Sequence, residues 1–203
     1  AIERVRIDRE TLEPRFKVIG SDLWSDETGF AEQTAASGVT GICGSGIIEA
    51  ISEMFLSGLI DAHGVVQGAG AERSNRVVAD ERTFSYRITD RIQVTQADVR
   101  AIQLAKAALR AGIDLLLEHA ELTAVDEIKL AGAFGAHIDP VHAMVLGLIP
   151  DCRVDRVGSV GNAAGAGAVR ALLSGVQRAE MEQAVRRVTK IETATEPRFQ
   201  DLF

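Results

Sequence analysis

Three short stretches of glycine and small residues carry the chemistry this sequence could do. The first is Thr40-Gly41-Ile42-Cys43-Gly44-Ser45-Gly46, an apolar, β-prone approach that runs into glycines and then into an amphipathic helix. Glycine lets a backbone come close to a ligand, and a helix N-terminus offers unpaired N–H groups with a partial positive charge. That combination favours a phosphate, so Gly44, Ser45 and Gly46 are candidate phosphate contacts. The stretch is not a Walker A sequence, because no lysine follows its last glycine. Glu49, one turn further on, can reach a ribose hydroxyl or a metal-bound water, or it can sit on a solvated helix face.

The second stretch is Leu130-Ala131-Gly132-Ala133-Phe134-Gly135, where the glycines would let a purine lie flat against the backbone. The third is Val160-Gly161-Asn162-Ala163-Ala164-Gly165-Ala166-Gly167, with Asn162 its only side-chain hydrogen-bonding group. Each stretch alone is also readable as a tight strand-to-helix turn or as close helix packing. Taken together they read as three backbone-rich turns converging on one nucleotide. Lys106 falls on or beside the buried stripe of a long helix, with Gln103 three residues before it. A lysine there either snorkels, neutralises a phosphate or contacts a base.

Other reactive types form no set. His137 and His142 are five apart, which is not the helical metal-pair spacing, and read as capping or surface residues. His63 and His119 sit at segment ends. No Ser/His/Asp or Cys/His nucleophilic arrangement and no metal site is discernible. Cys43, near a helix start, is either a thiol of lowered pKa or a buried inert one.

The totals exclude several classes. Twenty-nine acidic against 22 basic residues, a net charge of −7, argue against nucleic-acid or anionic-membrane binding. Two cysteines, Cys43 and Cys152, neither in a CxxC pair, argue against a disulfide framework, a structural zinc site or an iron–sulfur site within these residues. Reduced thiols in a cytoplasmic protein are the simpler reading. No run of about 18 apolar residues is present to span a membrane, and no signal peptide is visible. The start at Ala1, straight into strand-like sequence, leads us to expect a piece of a longer protein.

The elements that must position these stretches follow from periodicity. Val5/Ile7 and Phe16/Val18 alternate with charged residues and predict a hairpin around residues 8–14. Residues 19–37 read as an irregular loop pinned by Trp24. A helix over 44–57 carries Ile47, Ile51, Met54 and Phe55 on one face, with Gly58 just past its end. After a loop from 64, short strands at Val77-Val78, Phe84–Ile88 and Ile92–Val94 predict a small antiparallel insert with a turn at Asp80-Glu81. Thr95 and Asp98 form a capping-box pattern opening a helix to 119, with Val99, Ile102, Ala105, Leu109, Ile113 and Leu116 as its stripe and Gly112 a place of close packing. From 127 to 174 the order is strand, helix, strand, helix, which is α/β logic. A last helix near 177–188 should bury Met181, Ala184, Val185 and Val188, with an edge strand at Ile191/Thr193 and an apolar tail to Phe203.

Ile128–Gly135 followed by Gly161–Ala168 resembles the adenosine-binding end of the actin-like, sugar-kinase-like ATPase superfamily. Gly41–Gly46, Thr95–Lys106 and Asn162–Ala168 together resemble the C-terminal domain of RACo-type reductive activators of corrinoid proteins, over nearly the whole chain. The resemblance implies an α/β fold of the RNase H-like, actin-like ATPase (ASKHA) class, a mixed sheet flanked by helices, with residues 1–203 its C-terminal part. It implies ATP with Mg2+ as ligand, at Gly44, Ser45, Gly46, Glu49, Gln103, Lys106, Gly132, Ala133, Phe134, Gly135 and Asn162. It implies a corrinoid protein as partner, with a homodimer also open, and cobalt reduction from Co(II) to Co(I). Full-length members carry a two-iron, two-sulfur domain and an Asp-x-Gly-Thr phosphate stretch, neither of which occurs here. A small-molecule kinase, a radical-dehydratase activator or a non-catalytic docking module are the alternatives.

Overall fold

The computed structural model describes residues 1–203, apart from the side chains of Ala133 and Phe134. The chain forms two compact units: residues 1–106 with 141–146, and residues 107–140 with 147–203.

The first unit is built on an antiparallel hairpin of β1 (Ile2–Ile7) and β2 (Pro14–Val18). Ile2, Val5 and Ile7 are all buried although strict alternation would separate Ile2 from the other two. A register shift between Ile2 and Arg4 sets two β1 residues against one of β2 and turns Ile2 inward. The other edge of β1 receives the glycine-rich stretch. Ile2 N–H donates to the Gly41 carbonyl at 2.7 Å and Cys43 N–H to the Ile2 carbonyl at 2.9 Å, a parallel bridge at Ile42.

The chain thus enters α2 (Gly44–Leu56) directly beside β1. Ile48, Ala50, Ile51 and Met54 are buried, whereas Ile47 is half-buried and Phe55 is exposed. Gly58, with φ +74°, ends the helix as its spacing predicted. In the 19–37 loop the anchor is Phe30 more than Trp24. Phe30 opens the short helix α1 (Phe30–Thr34) and meets Phe16 edge-on with ring centroids 5.7 Å apart. Trp24 stays half-buried beneath Arg15 and Lys17.

The insert is present as β3 (Val77–Asp80), β4 (Thr83–Arg87) and β5 (Gln93–Val94), antiparallel throughout. Asp80 pairs with Thr83, so the loop residues are Glu81 and Arg82, one position beyond the expected turn. Tyr86 is fully buried and its hydroxyl donates to the Leu12 carbonyl at 2.7 Å, tying the insert to the hairpin. Burial holds the phenol pKa above its ordinary value. The unfolded state therefore ionises first, near pH 10, and stability present below that pH must fall above it. Tyr86→Phe is expected to lower stability at pH 7 by about 1 kcal/mol and to flatten this alkaline loss in urea titrations between pH 8 and 11.

The capping box forms as the pattern predicted: Thr95 N–H donates to Asp98 Oδ2 at 2.8 Å and Asp98 N–H to Thr95 Oγ1 at 3.1 Å. It opens α3 (Gln96–His119). The predicted stripe of α3 holds in part, at Val99, Ile102 and the half-buried Ile113. Val99 is buried and Ile102 half-buried, but Ala105, Leu109 and Leu116 are exposed, and Ala111 and Leu115 are buried instead. A Cβ on Gly112 would meet nothing within 4 Å, so that glycine serves no close packing.

The second unit holds the parallel pair β6 (Ile128–Ala131) and β7 (Val157–Gly161). The first is followed by α4 (Gly132–Gly135) and the second by α6 (Ala163–Leu173), with α5 (Pro140–Val145) lying between them in sequence. Then come α7 (Gly175–Val185) and α8 (Pro197–Leu202). Two expectations fail here. Val185 and Val188 are exposed and α7 has no buried residue, because its partner α6 also buries none. Residues 191–193 form no strand; the tail instead turns into α8, held to the end of α3 by Arg198 with Glu118 at 2.9 Å.

Candidate functional site

In the first unit, a cleft of about 510 Å³ lies against the start of α2, lined by Thr40–Gly44, Ile47, Arg91, Ile92, Gln93 and Asp98. The residue before the helix, Cys43, has extended backbone (φ −82°, ψ 174°) and makes no side-chain cap. Its thiol instead lies 3.2 Å from Ser45 Oγ. The N–H groups of Gly44, Ser45 and Gly46 therefore donate to no described residue. An uncapped helix start beside an open cleft, with the Arg91 cation on its lining, suits an oxyanion. The volume falls within the range of about 300–1,000 Å³ usual for small-molecule sites.

The predicted residues divide around this cleft. Gly44 is exposed and lines it, while Ser45 and Gly46 are buried. Gly46 has a further role, because an added Cβ would lie 2.4 Å from the Ile2 carbonyl oxygen and 2.9 Å from Ile42 Cγ2. Only glycine lets α2 come this close to β1. Glu49 is fully buried. Its carboxylate accepts from Arg4 and Arg6, each at 2.5 Å, and from Val5 N–H at 3.1 Å. Arg4 and Arg6 share one parity along β1 and present their guanidinium groups to α2, a pairing the sequence reading missed. The available signal was a carboxylate inside the apolar run Ile47–Ile51, since a buried charge needs partners.

Gln103 and Lys106 lie at a different place in the same unit, a second pocket of about 170 Å³. The Gln103 amide is committed to the chain: Nε2 donates to the His63 carbonyl at 3.1 Å and Oε1 accepts from Arg100 at 2.6 Å. His142 corrects the expectation of a capping or surface residue. It is buried, with Nδ1 2.9 Å from Ser52 Oγ and Nε2 3.7 Å from Glu53 Oε1.

The second unit holds the remaining predicted residues. Gly132, the residue after β6, has φ +94°, a left-handed conformation that favours glycine. Gly135 is buried, its Cβ position 3.3 Å from the Leu130 carbonyl carbon. Asn162 is exposed and caps α6, its Oδ1 accepting from Gly165 N–H at 2.9 Å. The side chains of Ala133 and Phe134 lie outside the described residues. Both cysteines are free thiols. Among the described residues no helix is long and apolar enough to cross a membrane.

Comparison with known proteins shows the family. A family model described as the C-terminal domain of RACo, the ASKHA domain, matches residues 1–203. The corrinoid activation enzyme RamQ of Eubacterium limosum is 38% identical over 182 residues, covering 80% of this chain and 30% of its own. A solved structure described as a reductive activator for corrinoid, iron-sulfur protein superposes with a TM-score of 0.81 at 28% identity, over 100% of this chain and 31% of that one. The chain thus spans under a third of the length of these relatives. The mixed α/β architecture is that of the actin-like ATPase fold, as the sequence reading expected. With a match along its whole length, the chain belongs to the family of C-terminal ASKHA domains of RACo-type corrinoid activators.

Proposed function

We propose that this chain is the nucleotide-responsive part of a reductive activator of a corrinoid protein. In this reading the phosphates of ATP, with Mg2+, lie at the start of α2. Gly44, Ser45 and Gly46 offer backbone N–H groups to those phosphates. The observation that supports it is the set of first-turn N–H groups without a partner among the described residues, beside a cleft of about 510 Å³. The two relatives named above are described as a corrinoid activation enzyme and a reductive activator, which supports a corrinoid protein as partner. Reducing Co(II) to Co(I) would draw electrons from an iron–sulfur domain outside these residues. ATP would act by binding two arrangements of the activator with different affinity, since equal affinity shifts nothing.

What this chain's residues do in that scheme is electrostatic. The α2 dipole and its free N–H groups hold the anion without a proton transfer. Glu49, enclosed by two arginines, fixes α2 to β1 so that those N–H groups keep their aim. Cys43→Asp tests the placement, because an aspartate at this extended position caps the helix and puts a negative charge where the phosphate would lie. Stability should rise by about 1 kcal/mol while calorimetric affinity for Mg·ATP falls at least tenfold. A stabilised variant with unchanged ATP affinity would remove the phosphates from this position.

A further inference from the structure

One face of the β1–β2 hairpin carries a block of positive charge that the phosphate cleft leaves unused. Val5, Ile7, Phe16 and Val18 take the buried face. On the other, the strand register sets Arg4 opposite Lys17 and Arg6 opposite Arg15. Like charges directly across a sheet repel, so such a block costs stability unless something answers it. Glu49 answers the two arginines of β1. Arg15 and Lys17 of β2 make no ion pair with any described residue. Lys17 Nζ donates to a neutral group, the Asp22 carbonyl, at 2.6 Å, and Arg15 is exposed.

The two β2 cations are also held in place. Arg15 Cζ lies 4.7 Å and Lys17 Nζ 5.3 Å from the centroid of the Trp24 ring, with Arg6 Cζ at 5.9 Å. A guanidinium stacked on an aromatic face keeps its N–H fork for a carboxylate. Because the ring already restrains both side chains, an anion docking here meets a smaller ordering cost. The indole N–H of Trp24 donates to no described residue, so the ring edge adds a further donor. The flanks are acidic. Asp22, Asp26 and Glu27 are exposed, and Glu27 Oε2 is bound to the Trp24 backbone N–H at 2.6 Å. Asp26 and Glu13 line a cleft of about 600 Å³ together with Arg15, and Glu13 is paired with Arg76 at 2.8 Å. On a chain of net charge −7, such flanks repel an extended polyanion and leave space for a few carboxylates.

We propose that Arg15, Lys17 and Trp24 form a docking point for a short acidic segment of a partner protein, one carboxylate taken bidentately by Arg15 and a second by Lys17. Nothing in it depends on a nucleotide at α2. The probe is a capped peptide of alternating glutamate and glycine, with glutamine in place of glutamate as its uncharged match, titrated into the full 203-residue chain. Trp24 is the chain's one tryptophan, so its fluorescence reports this spot alone. The acidic peptide should change that fluorescence saturably, the glutamine peptide should bind at least about tenfold more weakly, and about 0.5 M sodium chloride should abolish the difference. Arg15→Gln should lose at least about tenfold in affinity for the acidic peptide at a melting temperature no lower than the parent's, because it also removes the charge opposite Arg6. Arg82→Gln, the same charge change in the β3–β4 loop, should bind as the parent does. A response equal for the two peptides, an Arg15→Gln affinity equal to the parent's, or a tighter complex with single-stranded oligothymidylate than with the acidic peptide would each overturn the proposal.

Discussion

Gly46→Ala should destabilise the first unit by about 3 kcal/mol or more, the upper end of overpacking costs. The added methyl has no room, because it would lie 2.4 Å from the Ile2 carbonyl oxygen, 2.9 Å from Ile42 Cγ2 and 3.1 Å from the Ile2 carbonyl carbon. Two of these three atoms are backbone, and that backbone is held by Cys43 N–H on the same Ile2 carbonyl. A side chain could rotate away; a strand paired on both edges cannot. Relief requires α2 to lift off β1, which would also part Glu49 from its arginines. The control is Gly41→Ala, where a Cβ meets nothing within 4 Å, with an expected change below about 0.5 kcal/mol. Urea unfolding followed by far-ultraviolet circular dichroism reads both, and a Gly46→Ala midpoint equal to that of the parent chain would refute the close approach.

Glu49→Ala has the second largest expected effect, again about 3 kcal/mol. Removing one partner of a buried ion pair leaves the others uncompensated, which typically costs about 3–5 kcal/mol. Here the arginine side chains are 35% and 33% exposed, so they recover part of their hydration and the lower end applies. The Val5 N–H, buried with its residue, loses its acceptor as well. Glu49→Gln keeps an oxygen for that N–H and should lose about 2 kcal/mol. The triple replacement of Arg4, Arg6 and Glu49 by leucine tests the cause, since an apolar set removes the unpaired charges and should recover much of the loss. A Glu49→Ala chain that unfolds at the same urea concentration as the parent would show that the carboxylate carries no stability.

Much of the local structure was legible before any coordinates. The hairpin, the helix after Gly44-Ser45-Gly46, the three-stranded insert and the Thr95/Asp98 cap all follow from spacing and from residue types with one strong local preference. The Gly58 helix end is of the same kind, because a left-handed residue there is a backbone requirement. Legibility fails where burial is decided by a neighbour distant in sequence. In α3 the apolar period continued past Ala105, yet Leu109 and Leu116 face outward while Ala111 and Leu115 are covered. In α7 no residue reaches full burial.

The site divides in the same way. By itself the sequence determined where the backbone would turn and which helix starts would be rich in N–H groups, because glycine and cap preferences act within a few residues. Only the tertiary structure decided that Glu49 belongs to Arg4 and Arg6, 45 and 43 positions away, rather than to a solvent-facing helix surface. Only it decided that His142 is enclosed with Ser52, 90 positions away, and that Lys106 lies at a small apolar pocket. A charge or an imidazole carries no local signal of its partner; its burial and pairing are fixed when distant segments pack together.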